Sequence, residues 1–383
     1  MKTKLPFKQS VFDFSITTWI VYCMLFVISE VGVKFSTFAQ LQKLIAFMIC
    51  IGLSIVVFKS RYTRAELLKM LLILLSGLVI AFFTKSESAI MFLLACCASK
   101  DIDIDKTLET IFKFAMITFL TVIVLAFSGI IQNKTSEGLI IWDRRMYLGF
   151  RHPNMCGAVL LYLILLKIIS AKAQFKVRDY IFTLALEIVN YIGPKSKTSL
   201  ILGMVAIAAV FIYNNLNQGT IQVVLRYMRY APFILLGISI LVVYGFNANY
   251  PWVVALNTLF STRIEQMSYF WNKYPLTAFG QILENVSSSQ SNTIMQMRGL
   301  DNGYLYILLG EGVVFATEYM YLFVCSIKKS WMGKRWDKLI VLCIILLQGL
   351  METAVFRIEM QPCILLLANG LYCESHQKKI ESV

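Results

Sequence analysis

The chain keeps returning to apolar runs long enough to enter a lipid bilayer, and no other feature limits its fold so tightly. A helix needs about 20 mostly apolar residues to cross the hydrocarbon core. Runs of that kind are read at Phe12–Ser29, Leu41–Phe58, Leu67–Phe83, Ser88–Ser99, Leu108–Ile131 and Asn154–Ser170. They continue at Tyr180–Ile192, Ser199–Tyr213, Pro232–Phe246, Tyr304–Ser326, Leu339–Val355 and Pro362–Cys373. The fourth, seventh and twelfth are short, and Ser88–Ser99 fits a re-entrant segment as well as a crossing. The composition agrees: 58% of residues are hydrophobic and 15% charged, against about 45–50% and 25% in soluble domains. The expected fold is all-α: one polytopic transmembrane domain over residues 1–383 with about twelve transmembrane helices. The first run is followed by further apolar runs rather than by a small-residue cleavage site, so no cleavable signal peptide is read there.

The net charge of +14 would suggest nucleic acid in a soluble chain. In a membrane protein it has a simpler source, because lysine and arginine collect in cytoplasmic loops and meet anionic headgroups. Alternating the connections places most of the basic residues on one side, among them Lys2, Lys4, Lys8, Lys59, Arg61, Arg64, Lys328, Lys329, Lys334 and Arg335. That predicts cytoplasmic N- and C-termini, membrane lipids as partners, and no nucleic acid. The nine cysteines show no CxxC or Cys/His spacing, so they are read as apolar packing residues and no metal site is expected.

Two connections on the outer side are long. One covers Gln132–Pro153. The other, Asn247–Asn302, is the dominant outer loop, between the ninth and tenth helices, and is large enough to fold on the membrane surface. Within it, Thr262-Arg263-Ile264-Glu265 has the form of a capping box. Leu259, Phe260, Ile264, Met267, Phe270 and Trp271 recur at helical spacing, which predicts an amphipathic helix at the interface. Ser287–Asn292 reads as a flexible turn region.

These outer connections hold arginines that the distribution of charge otherwise disfavours. Arg144, Arg145, Arg151 and His152 cluster just before Pro153, a residue suited to the first position of a helix. A helix start flanked by guanidinium groups is a ready anion site. Arg263, Arg298 and Asp301 lie in the large loop or at its end, and Lys195 and Lys197 occupy a third outer turn. Asp301 or Asn302 is also placed to cap the tenth helix. No Walker A, GxSxG or HExxH pattern occurs. Glu187, Glu311 and Glu318 are ionisable residues within apolar runs, the kind of feature that ion-coupled transporters use.

Three segments resemble one family. Leu148-Gly-Phe-Arg-His-Pro-Asn-Met-Cys-Gly157 is similar to the GFGHPN…G segment of bacterial oligosaccharide repeat-unit polymerases, the Wzy-type enzymes of capsule, exopolysaccharide and O-antigen. Asp301-Asn-Gly-Tyr-Leu-Tyr-Ile-Leu-Leu-Gly-Glu-Gly312 resembles their DNxYLxxLLxxG segment, and Ser196-Lys-Thr-Ser-Leu their SRTS turn. Thr262-Arg263 matches an arginine early in the large loop. Arg151 stands where the family has glycine and Lys197 where it has arginine; both substitutions keep positive charge in the outer turns.

The resemblance implies a glycosyltransferase in the bacterial cytoplasmic membrane, acting on undecaprenyl-diphosphate-linked oligosaccharides at the outer face without metal, nucleotide sugar or other cofactor. A flippase and a chain-length regulator would be its protein partners. Arg151, Arg263, Arg298 and Lys197 would hold the diphosphate, and Asn154, Asn302 and Tyr304 would contact substrate. His152 and Asp301 would be catalytic. An imidazole titrates near neutrality, which favours His152 as the base and leaves Asp301 to orient hydroxyls. The opposite assignment stays open, because neighbouring arginines disfavour the charged imidazole. A lipid-linked oligosaccharide ligase shares fold and chemistry, and a polysaccharide transporter or flippase is the remaining alternative.

Overall fold

The computed structural model describes residues 4–136, 144–215, 227–260, 262–284 and 299–372. Arg298 and Ser287–Asn292 lie outside the described residues. Among those described the chain is all-helical, with no β-strand. Its main helices are α1 (Lys4–Tyr22), α2 (Gln42–Lys59), α3 (Arg64–Thr84), α4 (Ser88–Ala98), α5 (Ile104–Phe127) and α6 (Pro153–Ser170). They continue with α7 (Val177–Ile192), α8 (Lys197–Asn215), α9 (Ala231–Asn247), α10 (Pro251–Leu259), α11 (Arg263–Lys273), α12 (Gly312–Met332) and α13 (Trp336–Gln348).

Among the described residues, eight helical stretches are long and apolar enough to cross a membrane: Phe7–Val27, α2, α3, α5, α6, α8, Met228–Asn247 and Gly303–Met332. The other four apolar runs form shorter pieces. α4 has 11 residues, α7 has 16 and α13 has 13; the last run is a 3₁₀ segment, Pro362–Leu367, followed by Ala368–Leu371. At about 1.5 Å per residue, α4 rises only about half the thickness of the hydrocarbon core. Ala89 and Met91–Ala98 are all buried by neighbouring helices, so α4 need not span lipid by itself.

Burial sorts the helices into a centre and a rim. α6 is apolar all round and buried on nearly every residue from Cys156 to Ile169, as expected of a helix surrounded by protein. α3 lies at the opposite extreme. Its Leu68, Leu72, Leu75 and Phe82 form an exposed stripe at helical spacing, and Phe114, Ile117, Leu120 and Val124 do the same on α5. Apolar stripes of this extent on a folded surface belong against lipid. Gly157 is where α6 meets α8: a Cβ there would lie 2.3 Å from that of Ser196, so only glycine permits this approach.

The connections gather at two ends. At the basic end, Lys8 reaches Ser60 and Asp101, both at 3.2 Å, and Lys100 pairs with Glu66. Asp105 binds Arg335 at 2.5 Å and Lys338 at 2.7 Å, and Tyr372 donates to the Cys97 carbonyl at 2.6 Å. At the other end, Lys134 binds Glu30 at 2.7 Å, Gln42 donates to Glu87 at 3.0 Å, and Arg151 N donates to the Ile28 carbonyl at 2.9 Å. Loops that sequence alternation assigns to one side therefore meet one another.

The stretch Gly303–Met332 is broken. A π-type turn covers Ile307–Glu311, and Gly312 follows at φ +94°, where a Cβ would come within 2.3 Å of Gly280 N. The break frees backbone donors, which must find partners inside a membrane. A strip of the large loop supplies them: Val313 N and Val314 N donate to the carbonyls of Thr277 and Ala278, each at 3.0 Å.

α11 corrects the capping expectation. Thr262 adopts φ +65° and its side chain caps nothing; Asn257 at the end of α10 accepts from Glu265 N at 3.1 Å instead. The helix is amphipathic, yet its apolar face packs on protein. Met267 and Phe270 bury against Val243 of α9 and against Leu300, Leu305 and Leu309.

Two outcomes follow. Gly312→Ala adds a Cβ against the Gly280 backbone at a left-handed φ, and should lower stability in detergent by about 1–3 kcal/mol in thermal unfolding. Cysteines placed at Lys334 and Asn249 should label from opposite faces of intact membranes; labelling from one face would break the grouping of loops.

Candidate functional site

The start of α6 is built by a tight turn. Leu148 and Gly149 both take positive φ, +50° and +82°, which reverses the chain so that Phe150 pairs with Ser29. Pro153 then opens the helix, and His152 is its N-cap: the imidazole Nδ1 accepts from Asn154 N at 3.1 Å. A neutral imidazole that accepts at Nδ1 carries its proton on Nε2. In that form the Nε2 face of His152 is a donor.

Arg145 is the arginine that grips this helix start. Its Nη2 donates to Asn154 Oδ1 at 2.5 Å, and its Nε to the Pro194 carbonyl at 2.8 Å. Met146 N adds a 3.0 Å bond to the Gly193 carbonyl. Three segments separated in sequence, around residues 145, 154 and 194, are thus one polar junction. Lys197, at the first turn of α8, is exposed beside it.

A second arginine arrives from the large loop. Arg263, the first residue of α11, donates to the Met351 carbonyl at 2.8 Å. It faces Asp301 at 3.5 Å and Glu352 at 3.8 Å. The two groups of charge act on each other. Burial pushes the Glu352 carboxyl up to about 7, against the pull of Arg263 and Arg145. Burial likewise raises Asp301, opposed by Arg263. The Arg145 guanidinium is held below its ordinary value by burial, against the pull of Tyr147 and Glu352. Two guanidiniums thus stand with two carboxyls, an arrangement that can receive an anion at the arginines and exchange a proton at Glu352 near neutral pH.

The other residues expected here stand differently. Arg151 is exposed, and two of its N–H groups are given to the carbonyls of Ser29 at 3.1 Å and Phe26 at 3.0 Å; it ties the start of α6 to the end of α1. Asn302 is buried and fully engaged: Oδ1 accepts from Leu305 N at 2.9 Å, and Nδ2 donates to Ser239 Oγ at 3.1 Å and to the Leu350 carbonyl at 3.0 Å. Tyr304 is buried with its hydroxyl on the Leu346 carbonyl at 2.7 Å. Arg298 lies outside the described residues. Glu352 was absent from the expected set because it falls inside an apolar run; α13 ends four residues earlier, at Gln348, and releases it.

The same irregular segment carries Arg357, which reaches the Tyr306 hydroxyl at 3.5 Å, and Glu359, which accepts from Trp19 Nε1 at 3.2 Å. A second polar group thus lies on the same connection as Glu352. The cavity of about 810 Å³ lined by Phe175, Tyr180, Leu184, Met204 and Phe211 is elsewhere, at the basic end between α7 and α8. Its lining is mostly apolar, with Lys176, Asn214 and Asn215 among it, and it holds none of the charges described above.

Glu352 sets a pH dependence of stability. Its proton is held more tightly in the folded chain than in the unfolded one, where a carboxyl titrates at about 4.3. The stabilisation is full below that value and is lost as pH rises through about 7. Glu352→Gln should flatten the fall in melting temperature between these limits; an unchanged pH profile would show that Glu352 does not titrate there. Comparison with protein-family models, with curated proteins and with solved structures found no match.

Proposed function

We propose that the chain is a metal-independent membrane glycosyltransferase that polymerises undecaprenyl-diphosphate-linked oligosaccharides. In this reading it crosses the bacterial cytoplasmic membrane twelve times, with both termini inside and residues 247–302 outside. The motif resemblance suggests the class of reaction. The observation that carries the proposal is the convergence of Arg145 and Arg263 with Glu352 and Asp301.

The chemistry asks for what that cluster can offer. A hydroxyl of the acceptor glycan attacks the anomeric carbon of the donor, and the bond from that carbon to the diphosphate oxygen breaks. The leaving diphosphate gathers negative charge, and fixed guanidiniums stabilise it as it forms. Arg263 is held by the Met351 carbonyl and Arg145 by the Pro194 carbonyl, so both are set in place before the charge develops. The hydroxyl proton goes to Glu352, whose carboxyl sits near neutral pH and so is matched to general-base work. His152 donates from Nε2 to a phosphate oxygen, and Asp301 orients Arg263 and sugar hydroxyls. Lys197 adds charge at the rim. Arg151, Asn302 and Tyr304 shape the site through the backbone carbonyls they hold.

Purified protein given a synthetic lipid-linked repeat unit should extend it into polymer. Transfer to an unrelated acceptor alone would make it a ligase, and translocation without transfer a flippase. Arg263→Ala should lower turnover by about 100-fold or more, with Arg263→Lys recovering only part because it lacks the planar fork. Glu352→Gln should cost about as much, while His152→Gln, which keeps a donor, should retain most of the turnover. A near-normal Glu352→Gln beside a dead His152→Gln would return the base to His152.

A further inference from the structure

The inward face of α7 has no task in the reaction above. Asp179, Thr183, Glu187 and Asn190 recur at three- and four-residue spacing and are all buried, while Ile181, Leu184, Ile188 and Ile192 on the same helix are exposed. Three of the four polar residues have partners. Asp179 binds Lys167 of α6 at 2.7 Å. The Thr183 hydroxyl donates to the Asp179 carbonyl at 3.0 Å. Asn190 Oδ1 accepts from Ser196 N at 3.2 Å.

Glu187 is the fourth. It is 4% exposed, and beyond an interaction with the Asn190 side chain its carboxyl makes no hydrogen bond of ordinary geometry. The side chain points into a notch left by Gly203 of α8, where a Cβ would lie 1.6 Å from Oε1 and 3.2 Å from Ile164 Cδ1 of α6. From α6 it therefore meets Ile164, with Lys167 a turn away and committed to Asp179. From α8 it meets Gly203; Ser199, one turn nearer the helix start, accepts from Ser196 Oγ at 3.3 Å. Along α7 the polar neighbour is Asn190, a neutral amide that acts on the carboxyl without a hydrogen bond of ordinary geometry. No ion pair to Glu187 occurs among the described residues.

An ionised carboxylate cannot rest in such a place without a partner. A metal cation would need several oxygens around it, and the notch offers one carboxyl and a glycine. A proton needs only the carboxyl. We propose that Glu187 is a membrane-embedded proton-binding site, which keeps its proton while α7 lies against α8 and releases it to entering water when that seam opens. On release the O–H bond breaks, the proton leaves with the water, and the carboxylate stays behind with the solvent that it then requires. The polar stripe leads on through Asn190 to the Gly193–Pro194 turn, whose carbonyls hold Met146 and Arg145, so opening the seam would be felt at the arginine site. The proposal does not depend on the reaction assigned to that site.

Infrared spectra of the purified full chain in lipid nanodiscs, wild type minus Glu187→Gln, test this. At neutral pH the difference should contain the carbonyl stretch of a protonated carboxyl, persisting to a pH at which exposed carboxyls are fully ionised. A carboxylate band in its place at neutral pH would overturn the proposal. Gly203→Ala provides a second arm if the Gln variant fails to insert. Expelling the carboxyl from its notch should lower the titration midpoint of that band by about one pH unit or more, and an unmoved midpoint would show that the notch does not hold the proton.

Discussion

Inside a bilayer no backbone donor or acceptor can turn to water, so every interruption of a helix must be closed by the protein itself. Among the described residues, helices are interrupted three times near one end: at a π-type turn after α1 (Cys23–Val27), at Gly312, and between α13 and the 3₁₀ segment at Pro362. Each closure recruits polar side chains. Arg151 seals the first, and a strip of the large loop seals the second with its backbone carbonyls and with Gln281, which donates to the Leu309 carbonyl. Asn302, Tyr319 and Gln361 seal the third, through the carbonyls of Leu350 and Val355 and the side chain of Gln348. Polar residues at this end therefore fall into two kinds, those consumed in sealing and those with capacity left. Arg145, Arg263, Asp301 and Glu352 are notable for sitting where sealing and spare charge coincide.

That distinction explains what the sequence could reveal. The apolar runs mark the helices because burial in lipid or protein demands apolar side chains over the full length of a span. The proline and the histidine before α6 announce a helix start by local rules, and the structure keeps it. Sorting sealing from function is another matter, since Asn302 and Asp301 are adjacent and polar alike, and only the fold turns one inward to a carbonyl and the other toward Arg263. Glu352 was hidden for a related reason. Its neighbours are apolar, and hydropathy averages over a window longer than the irregular turn that frees it from the helix.

The cap of α11 failed for a different cause. A capping box is a local pattern, and Thr262 satisfies it in letters, but the chain enters α11 straight from α10 through a left-handed residue. Asn257, eight residues before the donor it accepts from, then supplies the oxygen. Tertiary geometry overrode a sound local rule at the place where two short helices abut.

The burial of α6 carries one more consequence. Bilayers differ in thickness, and helices that touch lipid tilt or shift to match them. α3, with its exposed leucine stripe, must answer such a change directly. α6 is shielded by protein along its length, so the head of this helix, and the charges gathered there, ride on a column that lipid cannot grip. The bundle thus works as a bearing: its rim adapts to the membrane in which it sits, while its axis holds still.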